Sequence, residues 1–290
     1  MSVFTTIIKQ LINGLQSGSI YALVALGYSM VYGIIMLLNF AHGDVIMVGA
    51  YIAWMMMARF AANPIIALIA AVLGVLIEKA AYKPLRQSPR ISLLITAIGV
   101  SYFLENVAQL IFGANAHVIP TFIDDTPIQL GRIAIPTTAL ITVVVAGISM
   151  VALNVLVKKT RMGKAMRAVS EDAGAAQLMG ININNTISFT FAVGSALAGI
   201  GSVLYCCAYP KATPTMGSML GLKAFVAAVL GGIGSIPGAM AGGFAIGIAE
   251  ALVSSAGLSE WKDGVVFAIL IVVLLVKPTG LMGRPMTEKV

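Results

Sequence analysis

Long apolar runs separated by short polar stretches dominate the pattern of this sequence. A transmembrane helix needs about 20 mostly apolar residues to cross a hydrocarbon core about 30 Å thick. No run shows the alternating polarity of a transmembrane β-strand. The pattern therefore predicts an all-α polytopic membrane protein with about eight (eight to ten) transmembrane helices, some of them broken or re-entrant. The eight predicted segments are 10–43, 45–58, 60–77, 91–112, 133–157, 186–209, 224–249 and 264–276.

Composition supports the same class and disfavours soluble proteins. Of the 290 residues, 59% are hydrophobic and only 10% are charged, against about 45–50% and about 25% in ordinary soluble domains. A single soluble core cannot bury that much apolar surface. Soluble enzymes and nucleic-acid-binding proteins are therefore disfavoured, although the net charge is +7.

The basic residues indicate an orientation in the membrane. Cytoplasmic loops carry an excess of Lys and Arg, which predicts two cytoplasmic loops and, between them, an outside loop at 113–132. Eight simple crossings would leave both termini on the same side of the membrane. The loops instead predict an N-terminus outside and a basic C-terminus inside, so at least one segment is predicted to be broken or re-entrant. The two cytoplasmic clusters are Lys79, Lys83, Arg86 and Arg90, and Lys158, Lys159, Arg161, Lys164 and Arg167.

Two places interrupt apolar runs with polar or helix-breaking residues. Residues 39–44 read Asn-Phe-Ala-His-Gly-Asp, and residues 231–238 contain Pro237 and several glycines. Irregular backbone at membrane depth is tolerated only where protein or water satisfies its amides, and transporters use broken helices to build solute sites. Each place is therefore either part of a translocation path or a tight turn between helices near the surface.

The chain lacks the motifs of an enzyme that acts alone. There is no Gly-x-x-x-x-Gly-Lys-Ser/Thr phosphate-binding loop, and the two histidines, His42 and His117, have no paired metal ligands at helical spacing. No nucleophile and base form a recognisable pair. We therefore expect no metal and no cofactor in this chain, with ATP, where it is used, bound by separate partner subunits.

The remaining candidates for function are glycines and charged residues within the apolar segments, together with Asp44 and Lys223 at segment ends. A charge at the bilayer centre costs at least about 2.5–3.5 kcal/mol, so such residues either line a path or pair internally. Glycines at four-residue spacing let helices approach closely, either within the chain or against a second subunit. The candidate path or gate residues are Asn39, His42, Asp44, Glu105, Lys223, Gly234, Pro237 and Glu250, and the spaced glycines are Gly234, Gly238, Gly242, Gly243 and Gly247.

The second basic loop, residues 158–181, contains more than the lysines that would be enough to set the membrane orientation. Glu171 and Asp172 precede an alanine-rich stretch, and Gly180 is a typical helix stop. The pattern predicts a short helix on the cytoplasmic membrane surface, suited to a groove on a soluble partner. The alternative is a solvated loop.

This loop resembles the coupling loop of ABC-importer permeases, and in detail the form found in branched-chain amino-acid permeases. One departure is that Gly180 follows Ala173 by seven residues rather than four. Similar motifs lie in order at 13–23, 27–34, 39–44, 223–239 and 278–285, so the resemblance covers nearly the whole chain from about residue 10. The coupling residues that it implies are Arg161, Gly163, Arg167, Glu171, Asp172 and Gly180.

The resemblance implies one permease domain over 1–290, with a cytoplasmic coupling loop at 158–181. It implies a permease subunit of an ATP-driven, binding-protein-dependent importer of leucine, isoleucine and valine in the bacterial inner membrane. The implied partners are a second related permease, two ATPase subunits and a periplasmic amino-acid-binding protein. An importer of urea or short amides, a secondary transporter driven by ion gradients, and a membrane scaffold without transport activity are the alternatives. The outside loop 113–132 matches no motif, so contacts with a binding protein stay unassigned.

Overall fold

The computed structural model describes residues 3–36, 39–60, 69–86, 88–120, 123, 126–130 and 133–283. Helices dominate these ranges, and four short strands accompany them. The helices are α1 (Val3–Ile35), α2 (His42–Phe60), α3 (Ala70–Ile77), α4 (Arg90–Phe112), α5 (Thr137–Lys159), α6 (Arg161–Glu171), α7 (Ala173–Leu178), α8 (Ile183–Ala208), α9 (Met216–Gly231), α10 (Ile236–Ser255) and α11 (Lys262–Val276). The strands are β1 (His117–Val118), β2 (Ile128–Leu130), β3 (Ile133–Ile135) and β4 (Lys211–Ala212).

The polytopic membrane class predicted from the sequence is confirmed. Within the described ranges, α1, α4, α5, α8 and α10 are each long and apolar enough to cross a bilayer, and α9 is a shorter apolar helix. Helices α2, α3 and α11 pack against these spans. Four charged residues of the predicted outside loop and of the basic C-terminus lie outside the described residues: Asp124, Asp125, Arg284 and Lys289.

The two ends of the molecule differ in charge and structure. Helices α4, α5 and α8 each join the basic segments at one end to the short strands at the other. Strand β1 pairs with β4, and β2 with β3, both antiparallel. We call the end that carries α6 and α7 the basic end; it is the end that the excess of Lys and Arg predicts to be cytoplasmic.

Helix α1 lies at the centre and packs along α10 through glycines. A Cβ atom at Gly247 would lie 2.3 Å from the backbone nitrogen of Gly18, and one at Gly243 would lie 2.5 Å from the Cα of Ala22. Gly242 makes an equally close backbone approach to α9. Gly242, Gly243 and Gly247 therefore serve packing within the chain, one of the two interpretations that their pattern allowed.

Two predicted segments have different limits in the structure. The segment predicted at 224–249 is two helices, since α9 ends at Gly231 and α10 begins at Ile236. The segment predicted at 133–157 begins as strand β3, and α5 starts only at Thr137, after Pro136. The described structure therefore has one more reversal than the eight predicted segments, in agreement with the prediction that at least one segment is broken.

Candidate functional site

Residues 158–181, the predicted coupling loop, form two short helices where the sequence predicted one. Thr160 caps α6 by accepting a hydrogen bond from the Gly163 amide (3.0 Å), and Asp172 caps α7 by accepting one from the Ala175 amide (2.9 Å). The predicted stop at Gly180 is confirmed, because its φ of 83° is the left-handed conformation that ends a helix. The loop is therefore ordered helix rather than a solvated coil.

Helix α6 turns one face to the protein and the other to solvent. Gly163, Met166 and Val169 are buried, whereas Arg161 and Arg167 are exposed. A Cβ atom at Gly163 would lie 2.2 Å from the carbonyl oxygen of Leu156. Glycine at this position therefore lets α6 lie directly against the end of α5.

Helix α7 presents apolar side chains outside the apolar belt of the molecule. Leu178 is 90% exposed and Met179 is 83% exposed, although both lie at the basic end, within the coupling loop. A cavity of about 520 Å³ opens beside them, lined by Arg86, Gln177 and the residues from Gly180 to Asn184. An exposed apolar tip beside a polar cavity is typical of a surface that a protein partner covers.

Residues 39–44, which we call the buried break, lie inside the helix bundle. Asn39, His42 and Asp44 are all buried, and the His42 amide donates to the Asn39 carbonyl oxygen (2.9 Å) at the start of α2. The His42 ring lies against Gly27, which in turn faces Gly194 in the middle of α8. Since Gly27 is eight residues before the end of α1, α2 begins about 12 Å inside that end.

Around the buried break, the His42 Nε2 atom has no hydrogen-bond partner among the described residues. The Asp44 carboxylate and the Tyr28 hydroxyl are buried too, and their polar neighbours are Ser101 and the Gly43 backbone. A buried polar atom without a partner is rare in native proteins and calls for an explanation such as a functional role. A polar cluster at membrane depth fits a place where a solute passes.

The start of α9 closes one side of this cluster. A Cβ atom at Gly43 would lie 2.2 Å from the Gly217 carbonyl oxygen, and one at Gly217 would lie 2.6 Å from an Asp44 carboxylate oxygen. The next residue, Ser218, donates a short hydrogen bond to Glu105 on α4. The structure thus brings Asn39, His42, Asp44 and Glu105 into one region, as the proposed path requires.

Residues 232–235, which we call the surface turn, connect α9 to α10 at the basic end. Gly234 and Pro237 are exposed, and the Gly234 amide donates to the Ser29 hydroxyl (2.8 Å). Gly234, Arg167 and Ser170 line a common cavity, so the turn adjoins α6. The backbone of residues 231–238 therefore contains a tight turn between two helices, and the role of Gly234 and Pro237 in a path or gate stays a prediction.

Lys223 and Glu250 form a separate buried ion cluster. The Lys223 Nζ atom lies 2.7 Å from a Glu250 carboxylate oxygen and 2.6 Å from one of Asp263, and the Tyr21 hydroxyl donates to the other Glu250 oxygen (2.7 Å). This cluster joins α1, α9, α10 and α11. Lys223 therefore lies within a helix rather than at a segment edge, and its charge is compensated internally.

Comparison with known families decides the classification. A family model described as the permease component of the branched-chain amino acid transport system matches residues 10–274. The chain belongs to this family. It is accordingly a multi-pass membrane permease and not an enzyme.

Individual relatives within the family match over nearly their full length. LivH of Salmonella typhimurium, a high-affinity branched-chain amino acid transport permease, is 44% identical, with 99% of each chain covered. The corresponding protein BraD of Pseudomonas aeruginosa is 43% identical, with 98% of each chain covered. The ribose import permease RbsC of Escherichia coli is 26% identical over 91% of this chain and 84% of its own. No solved structure gives a significant match.

The structure also shows site residues of this permease that the sequence patterns did not single out. Tyr28 lies beside His42, with ring centroids 5.0 Å apart, and Asp263 completes the ion cluster. Glu78 is fully buried and paired with Arg86. Local sequence does not mark these residues as functional, because Tyr28 lies in an apolar run and Asp263 and Glu78 lie at segment ends.

Proposed function

We propose that this chain is the membrane permease subunit of an ATP-driven, binding-protein-dependent importer of branched-chain amino acids. Its family and the printed names of its nearly full-length relatives support the transported class. The observation that carries the ATP-driven mechanism is the coupling loop, whose exposed apolar tip lies at the basic end. A secondary transporter or a scaffold has no evident use for such a surface.

The partner that fits the coupling loop is an ATPase subunit. Leu178 and Met179 supply apolar contact area, and the same loop carries the exposed charged side chains of Arg161, Arg167 and Glu171. An apolar centre with a polar rim is common in protein interfaces. Movement of a docked ATPase would reach α5 through Gly163 and the surface turn through Arg167.

The buried break is the part of the chain best suited to line the solute path. Helix α2 begins at membrane depth, where the positive end of its helix dipole and the Asp44 carboxylate offer opposite charges to a zwitterion. The unpartnered His42 Nε2 atom and the buried Tyr28 hydroxyl lie in the same region. A gate role for Gly234 and Pro237 stays a prediction, and the Lys223–Glu250 cluster fits a structural clamp better than a path.

The proposed complex contains a second related permease, two ATPase subunits that bind the ATP, and a periplasmic amino-acid-binding protein. It would reside in the bacterial inner membrane, with the basic end in the cytoplasm. A ribose permease shares 26% identity with this chain, so one scaffold serves different solutes. Solute choice is therefore assigned mainly to the binding protein rather than to this chain.

The experiment is purification of the complex from its native membrane, followed by reconstitution with a leucine-loaded binding protein. We expect two ATPases and a second permease to co-purify, and leucine to stimulate ATP hydrolysis and uptake. Stimulation of ATP hydrolysis by a urea-loaded binding protein instead would support the ATP-driven mechanism and change the assigned solute from leucine to urea. Leucine uptake that follows an ion gradient rather than ATP would refute the proposal.

Charge reversal in the coupling loop tests the docking surface directly. Arg167→Glu and Glu171→Lys should abolish transport and release the ATPases while leaving membrane insertion intact. Glu260→Lys, a reversal at the opposite end, is the matched control and should retain the ATPases. Normal uptake by both loop variants would exclude this loop as the coupling element.

A further inference from the structure

A single π-helical turn, Glu78–Tyr82, continues α3 toward the basic end. π-Helical turns are rare and frequently mark functional sites. Both of its end residues are buried, with Glu78 0% exposed and Tyr82 2% exposed. The two residues nevertheless make polar contacts in opposite directions, one toward the coupling loop and one toward the buried break.

The Glu78 contacts lead to the coupling loop. Arg86 forms an ion pair with one Glu78 oxygen, and the Ser188 hydroxyl donates to the other (2.6 Å). The second Arg86 nitrogen donates to the side chain of Asn184 (2.5 Å). Arg86 and Asn184 also line the 520 Å³ cavity together with Gln177 and Gly180 of the coupling loop. The same guanidinium therefore faces the docking surface and holds a buried carboxylate.

The Tyr82 contact leads to the buried break. Its hydroxyl donates to the side-chain oxygen of Asn39 (2.6 Å), and both groups are buried. The Asn39 carbonyl oxygen in turn accepts the His42 amide at the start of α2. Asn39 thus joins the π-helical turn to the first turn of α2, next to Asp44.

We propose that the Glu78–Tyr82 turn transmits the position of the coupling loop to the buried break, with Tyr82 and Asn39 as positioning residues. The inference rests on the proposed function. Displacement of residues 180–184 by a docked ATPase moves Arg86 through Asn184. Glu78 follows Arg86, because a buried carboxylate that loses its partner is strongly unfavourable. The short turn passes this movement to Tyr82 and so to the start of α2.

This route differs from the contact of α6 with α5, which moves a helix without reaching the buried break. The proposed route predicts that breaking one of its contacts uncouples ATP hydrolysis from transport. A contiguous network is a coupling path only when its interruption uncouples the two sites. Removing the Tyr82–Asn39 bond should therefore lower solute moved per ATP without lowering ATP hydrolysis. A merely structural role would lower both through loss of folded complex.

The test uses the whole complex in proteoliposomes with the leucine-loaded binding protein. Tyr82→Phe removes one hydroxyl and keeps the ring. We expect hydrolysis within twofold of the wild type and at least a fivefold fall in leucine transported per ATP hydrolysed. The matched control is Tyr102→Phe on the exposed face of α4, which should leave the ratio unchanged. An unchanged ratio in Tyr82→Phe, or a parallel fall of hydrolysis and uptake, would overturn the proposal.

A second variant separates transmission from local packing. Asn39→Ala should lower the ratio by a similar factor, and the double variant should lower it no further, because both changes break one bond. Multiplied losses in the double variant would contradict a shared bond. A wild-type complex without ATP-dependent leucine uptake would refute the proposed function alone, and the same ratio measured with the solute that it does move would still test the turn.

Discussion

The chain reverses direction within two apolar stretches, and the two reversals are built in opposite ways. At the buried break, Asn39, His42 and Asp44 lie among helices, and the His42 Nε2 atom has no hydrogen-bond partner among the described residues. At the surface turn, Gly234 is exposed and its amide is satisfied by Ser29. Both stretches combine glycine with polar residues, so local sequence does not separate them.

The difference shows where a membrane protein carries unsatisfied polar groups. Water reaches the surface turn, so its backbone polar groups cost little free energy. At membrane depth each unsatisfied group costs several kcal/mol, and such a cost persists only where the surrounding structure or a function maintains it. In the buried break, some substitutions should therefore lower transport without lowering the stability of the protein. In the surface turn, we expect no substitution to do so.

The largest effect is expected for Gly43→Ala in the buried break. Its Cβ atom would lie 2.2 Å from the Gly217 carbonyl oxygen and 2.9 Å from the Gly221 Cα, both backbone atoms of α9 that cannot rotate away. Overpacking typically costs about 1–3 kcal/mol and occasionally more, and a contact with rigid backbone belongs at the upper end of that range. We expect a large fall in the thermal midpoint of the detergent-solubilised protein, measured by fluorescence-detected size exclusion.

The control for this substitution is Gly147→Ala, in the interior of α5. No atom lies within 4 Å of its Cβ position, and alanine stabilises a helix interior by roughly 1 kcal/mol over glycine. Its midpoint should be equal or higher than that of the wild type. Equal midpoints for Gly43→Ala and Gly147→Ala would show that α2 and α9 are not tightly packed here.

The next effect is on transport rather than stability. Asp44→Asn keeps the shape of a buried side chain and one oxygen that can still accept from Ser101, and it removes a buried charge. The midpoint should change by less than the equivalent of about 1 kcal/mol or should rise. Leucine uptake by the reconstituted complex should fall at least tenfold, since the carboxylate is proposed to meet the ammonium group of the solute.

The comparison for Asp44→Asn is Glu250→Gln in the ion cluster. That change leaves Lys223 with one carboxylate fewer, so its main loss should be in stability, where breaking a buried pair costs about 3–5 kcal/mol. Normal uptake in Asp44→Asn would argue against a path through the buried break. A stability loss as large as that of Glu250→Gln would indicate a structural role for Asp44.

Within the surface turn, two glycines should differ by a smaller amount. Gly232 and Gly234 have φ values of 103° and 88°, a region that costs alanine about 1–2 kcal/mol. A Cβ atom at Gly232 would also lie 2.3 Å from the Gly283 nitrogen, whereas at Gly234 the nearest atom is 3.9 Å away. Gly232→Ala should therefore lower the midpoint more than Gly234→Ala.

Asparagine sharpens this test, because it tolerates left-handed backbone better than alanine. Gly234→Asn should recover part of the stability that Gly234→Ala loses, and the same exchange at Gly232 should recover little, since the contact with Gly283 remains. Equal effects at the two positions would show that backbone strain alone governs the turn.

Much of the fold and part of the candidate site follow from the sequence. The apolar runs predict the membrane class, and the caps of α6 and α7 are local signals at Thr160, Asp172 and Gly180. Lys223 was misplaced at a segment edge because its partners, Glu250 and Asp263, lie far along the chain. Charge compensation between distant helices has no local signature.

The two reversals also differ in a property that local sequence does not predict. Asn39 and Gly234 both look like helix breakers, and burial alone distinguishes them. The π-helical turn at Glu78–Tyr82 has no composition that marks it, since its geometry depends on Ser188 and Asn39, which lie elsewhere in the chain. Tertiary contacts, rather than propensity, decide these features.

The smallest effect is expected for Ser29→Ala, which removes the acceptor of the Gly234 amide. Gly234 is exposed, so water replaces the lost hydroxyl and the cost should stay below about 1 kcal/mol. Tyr82→Phe deletes a bond of similar length but leaves the Asn39 oxygen buried, and the contrast between the two variants measures how much burial matters. Ser19→Ala, which removes a hydroxyl bonded within α1, is the control. A loss of uptake in Ser29→Ala at unchanged stability would instead favour the gate role predicted for Gly234 and Pro237, because a passive connection between α9 and α10 has no reason to affect transport.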